Sequence, residues 1–387
     1  MKFVYLRTPY IHSKATLPME EVQQPATKSR PRFVFIDALR GLASMSVVLF
    51  HLSGYVLFRS PAGDVVPGWL RAAIDAGSLG VYVFFSISGF VIFYAIGDQQ
   101  VSPRFAGRFV ARRSVRLDPP YWTAIAASLA VAWVSAKYVG TEFDSPPYDV
   151  LIAHVFYAQN LLGMPNLSVG LWTLCIEIQF YLFALFAMFA AQKAKLSKGA
   201  LTAALLLAFL GSAIVFSTVD SSDPAIALNS YRSLIPNLCL FGFGVLPWLR
   251  LERSAPSWPM FVLLAATAAR LVYSYESELL VSALTGIAFW LAVEMGKLDR
   301  WLAGRPLQFL GKISYSLYLI HFPVAMITKR VLHKLVGESN LAVWLTFFAA
   351  VGAAIATAAL MHRLVEAPFT RLARRLFRPP PGPVSAL

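Results

Sequence analysis

Apolar runs long enough to cross a bilayer recur ten times in this chain, and that leaves it little choice of fold. A helix rising 1.5 Å per residue needs roughly 20 apolar residues to span a hydrocarbon core of about 30 Å. Such runs lie at 33–57, 77–97, 119–138, 170–191, 199–219, 232–249, 258–274, 279–296, 307–328 and 340–361. In lipid every backbone N–H and C=O must be satisfied within the segment, so the runs predict helices and the chain an all-α, polytopic membrane protein. Only 14% of the residues are charged, where a soluble domain carries about a quarter. A further stretch, 150–163, is short and carries Gln159 and Asn160, and reads as re-entrant or interfacial.

A net charge of +14 would suggest a nucleic-acid partner in a soluble protein. Here the basic residues form short patches between the apolar runs, so they read as topology, with no nucleic acid expected. Of the 34 Lys and Arg, 24 fall in segments 1–32, 98–118, 192–198, 250–257, 297–306 and 362–387, against eight in the alternate loops. With ten spans that places both termini in the cytoplasm; counting 150–163 as a span would reverse every later loop. The expected organisation is an N-terminal tail (1–32), a transmembrane domain (33–361) and a basic, Pro-rich tail (362–387) ending RPPPGPVSAL. The N-terminus lacks the short apolar core and small-residue cleavage site of a signal peptide. Cys175 and Cys239 lie in apolar runs, with no disulfide framework or metal-ligand spacing, and no metal is expected. No inverted repeat of the transporter kind is visible.

Ionisable groups inside spans cost several kcal/mol unless paired or set in a wet cavity, so they are functional candidates by default. Arg40 and His51 share the first span, eleven residues apart, which is about 16 Å along the axis and close to three full turns. A neutral His can take and return a proton near pH 7; the alternative is an interhelical hydrogen bond. Glu177, in GLWTLCIEIQFYL, is expected in the outer half of the membrane, as is His51, and could orient that His, bind acceptor hydroxyls or act as a base, or it could pair with an Arg. Ser314, Tyr318 and His321 fall on one helical face, with Tyr315 beside them, suiting a polar cavity or an interfacial belt. Arg108, Arg112, Arg113 and Arg116 cluster at the inner surface, where arginines suit phosphate groups and equally suit anionic lipid. Signatures of ATP hydrolysis, serine hydrolases and zinc peptidases are missing. Gly77, Gly80, Gly89 and Gly97 read as helix-packing positions.

Taken in order, these segments resemble the membrane-bound acyltransferase-3 family. FIDALRGLASMSVVLFH matches its Arg-x10-His signature with Arg40 and His51, and VFFSISGFVIFY its FFxxSGFxI stretch at Ser88, Gly89 and Phe90. RRSVRLDPPYW matches RxxRLxPxYW at Arg113, Arg116, Pro119, Tyr121 and Trp122. LWTLCIEIQFYL matches LWxLxxExxFYL at Trp172, Glu177, Phe180 and Tyr181, with Thr173 where many members have Ser. LGKISYSLYLIHFP matches LGxxSYxxYLxHxP at Ser314, Tyr315, Tyr318, His321 and Pro323, and VEAPF resembles the closing E-x-P element at Glu366 and Pro368. No single piece is specific; the ordered set over roughly 33–370 is.

The resemblance implies an O-acyltransferase of the bacterial inner membrane that takes acyl groups, typically acetyl from acetyl-CoA, as co-substrate and holds no tightly bound cofactor. The implied acceptor is a carbohydrate such as a cell-surface or exported polysaccharide, with partner enzymes of a polysaccharide or glycolipid pathway. On this expectation His51, Glu177 and Arg40 are catalytic, while Arg113 and Arg116, with Arg40, bind the donor. Ser314, Tyr315, Tyr318, His321 and Trp172 line the acceptor pocket. Many members add an extracytoplasmic esterase-like domain; no polar block here offers one, so specificity is expected from the membrane domain or a partner. The alternatives are an acyltransferase for a secreted small molecule of the macrolide kind, or a proton-coupled or acyl-group transporter.

Overall fold

The local chemistry of the chain punctuates its helices. Ser102 caps one of them, its Oγ accepting from Phe105 N at 3.1 Å with Pro103 in the first turn, and Ser339 caps another by accepting from Ala342 N at 3.3 Å. The computed structural model describes residues 33–58, 66–140, 143–218, 233–337 and 339–377, so the expected tail segments 1–32 and 378–387 lie outside it. Among the described residues all regular structure is helical. The order is α1 (Val34–Leu52), a π turn (Ser53–Leu57), α2 (Gly68–Asp75), a 3-10 turn (Ala76–Leu79), α3 (Gly80–Ile96), α4 (Pro103–Val139), α5 (Tyr148–Val155) and α6 (Leu171–Lys193). There follow α7 (Lys198–Thr218), α8 (Leu234–Arg253), α9 (Trp258–Tyr273), α10 (Ser277–Glu294), α11 (Arg305–Val336), α12 (Asn340–Met361), a second π turn (His362–Glu366) and α13 (Ala367–Leu376).

Each of the ten expected spans is helical. Eight described helices are long and apolar enough to cross a membrane by length and composition. Of the other two, α9 has 16 residues, and α4 runs for 37 residues with its arginine-rich first half ahead of the apolar 119–138. The 150–163 stretch is no span: α5 has eight residues, about 12 Å, and the chain then turns so that Gln159 and Asn160 are buried at 0% and 3% exposure. Their amide nitrogens bond inside the protein, Asn160 Nδ2 donating to Trp172 O at 2.7 Å and Gln159 Nε2 to the Tyr121 hydroxyl at 3.4 Å. Residues 362–376, expected as the start of a tail, are helical, and α13 packs on α4.

Contacts show that successive long helices alternate in direction. α1 and α11 run parallel: Gln308 Nε2 donates to Val34 O at 2.9 Å, Gly41 meets Gly311, and Lys329 Nζ donates to Tyr55 O at 2.6 Å. Gly41 and Gly311 make this closeness possible, because a methyl on Gly311 would strike the Asp37 carbonyl. α3 and α8 form a second such pair, with Gly89 against Phe241 O and Gly244 against Ser86 O. Gly77 and Gly80 abut Ser46 O and Ala43 O of α1 and, like Gly89, are packing positions as expected. Gly97, expected as another, instead ends α3 at a φ of +56° that glycine adopts freely. Phe180, Phe85 and Phe241 stack at 4.1–4.8 Å in the core between α3, α6 and α8. At one end of the bundle Arg253 donates to Gly97 O at 3.2 Å, Val101 N to Gln192 Oε1 at 2.8 Å and Phe35 N to Leu298 O at 3.0 Å. These bonds tie together four of the loops expected on the basic side.

Candidate active site

Motifs distant in sequence meet on the inner faces of α1, α3, α4, α6 and α11. A cavity of about 90 Å³ opens between these helices, with Arg40, Arg113, Arg116, Glu177, Ser88 and Tyr315 on its wall. Tyr181, Thr173, Ser314 and Tyr318 complete the polar lining; Phe84, Phe85, Ile87, Val91 and Leu174 are among its apolar residues. That is room for roughly six waters or the end of a ligand.

The cavity is electropositive. Three guanidiniums face one carboxylate on its wall. Arg113 lies over the rings of Tyr181 and Phe109, 4.5 and 4.9 Å from their centroids. Arg40 feels the charges of Arg116, Glu366, Glu177 and Asp37. The buried Nε atoms of Arg40 and Arg116 have no hydrogen-bond partner. Unmade bonds on buried cations are costly, and an anionic or carbonyl-bearing ligand in the cavity would complete them.

Glu177 is held from two sides: Ser88 Oγ donates to its Oε1 at 3.0 Å, and the Tyr181 hydroxyl makes a short hydrogen bond to the same oxygen. The Ser comes from α3 and the Tyr from one turn along α6, so the carboxylate is fixed at the wall. Removing one neutral donor costs about 1 kcal/mol, so Tyr181→Phe is expected to lower kcat roughly fivefold without changing the fold, read by steady-state kinetics and the thermal midpoint together.

The histidines lie one helical turn beyond the cavity. The Tyr318 hydroxyl, 3.1 Å from Gly170 O and 3.0 Å from Thr173 Oγ1, pins its ring across the end of the cavity wall. Three residues further on α11, fully buried His321 sets its Nε2 3.2 Å from Nδ1 of partly exposed His51. His51 Nδ1 is also 3.0 Å from Val47 O, and His321 Nδ1 is 2.8 and 3.2 Å from the carbonyls of Tyr318 and Leu317. Off the cavity wall Glu366, in the second π turn, accepts from Ser316 Oγ at 2.7 Å and pairs with His362 Nδ1 at 3.0 Å. It places a second carboxylate near Arg40 and Arg116.

The expected site residues are thus divided. Arg40, Arg113, Arg116, Glu177, Ser314, Tyr315 and Tyr318 share the cavity, whereas His51, His321 and Trp172 do not line it. The His51 ring is bonded to His321 rather than Glu177, which belongs to Ser88 and Tyr181. Sequence reading did not anticipate the histidine pair. The signal was there in principle: Gly41-x9-His51 and Gly311-x9-His321 share one spacing, as two parallel helices in register require.

Against known proteins, the family described as an acyltransferase domain matches residues 33–363. BcsY of Komagataeibacter xylinus, named as a membrane-bound transacylase, is 28% identical over 313 residues, 74% of this chain and 72% of its own. The peptidoglycan O-acetyltransferase OatA of Listeria monocytogenes is 25% identical over 380 residues, covering 89% of this chain and 56% of that protein. The O-acetyltransferase OatA of Staphylococcus aureus is 24% identical over 344 residues, 76% and 51% of the two chains. The chain spans about half the length of these two O-acetyltransferases. No solved structure matches it significantly.

Proposed function

Because this chain belongs to the acyltransferase-3 family of membrane O-acyltransferases, we propose that it moves acetyl from acetyl-CoA onto a hydroxyl of a carbohydrate at the bacterial inner membrane. The observation that carries this reading is the division of the site: an arginine-walled cavity on one side of Tyr318, and a histidine pair on the other. CoA is a polyanion, and arginine recognises phosphate by bidentate, charge-assisted bonds. Arg113 and Arg116, at the end of the bundle with the basic loops, would guide it, with the basic end taken as cytoplasmic. The pantetheine arm then brings the thioester up the cavity past Arg40. The relatives' names support acetyl and a polysaccharide-type acceptor; enzymes of the same polysaccharide or glycolipid pathway would supply that acceptor.

In the proposed reaction His51 removes the acceptor hydroxyl's proton as its oxygen attacks the thioester carbonyl. The C–O bond forms, the C–S bond breaks, and the thiolate leaves with the proton that His51 returns. Acceptor ester and free CoA–SH are the products. Arg40 faces the oxyanion that develops on the carbonyl, and displacement of Tyr318 from Gly170 and Thr173 joins the two compartments.

The test is acetyl-CoA turnover by the purified protein in detergent with a panel of sugar acceptors. Acceptor-dependent CoA release supports the reading; background release with every acceptor defeats it. Arg116→Ala is expected to raise KM for acetyl-CoA roughly 10- to 100-fold, the value of a hydrogen bond to a charged group, with a smaller change in kcat. An unchanged KM would remove Arg116 from the donor site.

A further inference from the structure

We propose that His321 is a positioning residue that holds His51 in a single tautomer, with its proton on Nδ1 and a bare lone pair on Nε2. The proposal rests on the reading of His51 as the base. The ring protons follow from the atoms around them. His321 Nδ1 faces two backbone carbonyl oxygens, of Tyr318 at 2.8 Å and Leu317 at 3.2 Å. A lone pair there would meet two others, so Nδ1 carries the proton and donates it to those carbonyls. In neutral imidazole the other nitrogen is then an acceptor, and His321 Nε2 points its lone pair at His51 Nδ1, 3.2 Å away. His51 Nδ1 meets a second acceptor, Val47 O, at 3.0 Å. Two acceptors around one nitrogen require a donor, so His51 Nδ1 is the N–H and its Nε2 is left unprotonated.

That is the tautomer a base needs, and it is reached without a carboxylate. The usual orienting partner of a catalytic His is an acid; here the carboxylate of the cavity wall, Glu177, is committed to Ser88 and Tyr181. A neutral partner has a physical advantage at this depth. A carboxylate beside His51 would have to be buried among Phe50, Phe322 and Tyr55, the rings around the pair, at a cost of several kcal/mol. His321 supplies the acceptor with no buried charge, anchored by its own turn of helix and fully enclosed. In this arrangement the register of α1 on α11, set where Gly41 meets Gly311, sets the tautomer of the base.

The test compares His321→Ala, His321→Gln and His321→Asn with wild type and His51→Ala. A Gln carbonyl can stand where Nε2 stands, while Asn reaches only the Nδ1 position. Expected is a fall in kcat of roughly 100-fold for His321→Ala with KM for acetyl-CoA unchanged, in the range seen when partners behind a reacting group are removed. Gln should restore activity to within about tenfold of wild type, and Asn should not. Nitrogen-15 spectra of histidine-labelled protein should show the His51 proton on Nδ1 in wild type, spread over both nitrogens in His321→Ala. Gln no better than Ala, or a wild-type His51 proton on Nε2, overturns the proposal. An inactive wild type, or an active His51→Ala, instead overturns the acyltransferase base assignment, and the spectra still decide the tautomer.

Discussion

His51→Ala is expected to lower acyl transfer by about 1,000-fold or more while the protein stays folded. General-base catalysis by a placed side chain is worth roughly 100- to 10,000-fold, and the neighbouring imidazole cannot take over, because His321 spends its Nδ1 on the Tyr318 and Leu317 carbonyls. The structural cost is small by comparison. His51 is partly exposed, and its polar contacts are to Val47 O on its own helix and to His321. Truncation leaves His321 Nε2 without a donor, about 1 to 3 kcal/mol in a buried setting. CoA release and thermal midpoint measured on the same preparation separate the two effects. Activity above a tenth of wild type with an unchanged midpoint would mean that His51 is not the base.

The largest stability effect is expected at Gly244, on the α3–α8 seam. A methyl there would overlap the Ser86 carbonyl and press on Phe90 N, both backbone atoms that cannot rotate away. Gly244→Ala must therefore separate two helices, and overpacking of this kind costs about 3 kcal/mol or more. The damage would reach the site, because α3 carries Ser88 to Glu177. Gly352→Ala is the control: nothing lies within 4 Å of a methyl at that position on α12, and the helix gains up to about 1 kcal/mol in propensity. Thermal unfolding in detergent should show Gly244→Ala well below wild type and Gly352→Ala at or above it. Equal midpoints for the two variants would show that α3 and α8 do not approach as closely as described.

All ten expected segments were legible as helices because lipid exposure makes each one nearly self-sufficient: a long apolar run and internal backbone bonding suffice. α4 hides a span inside a 37-residue helix whose first half is cationic, so composition over the whole helix obscures what a shorter window reveals. Residues 362–376 misled for the opposite reason, since a basic, amphipathic segment looks like a tail until its packing on α4 is seen.

By itself the sequence determined the class of protein, its helical segments and the ionisable residues within them, because an ionisable group at membrane depth stands out against an apolar background. Only the tertiary structure decided which of those residues meet. Arg40 and His51 sit eleven residues apart on one helix, yet one faces the cavity with Arg116 and the other pairs with His321 beyond Tyr318. Pairing across helices depends on register and direction, which glycine contacts such as Gly41 on Gly311 set. No local pattern in a single helix contains that information.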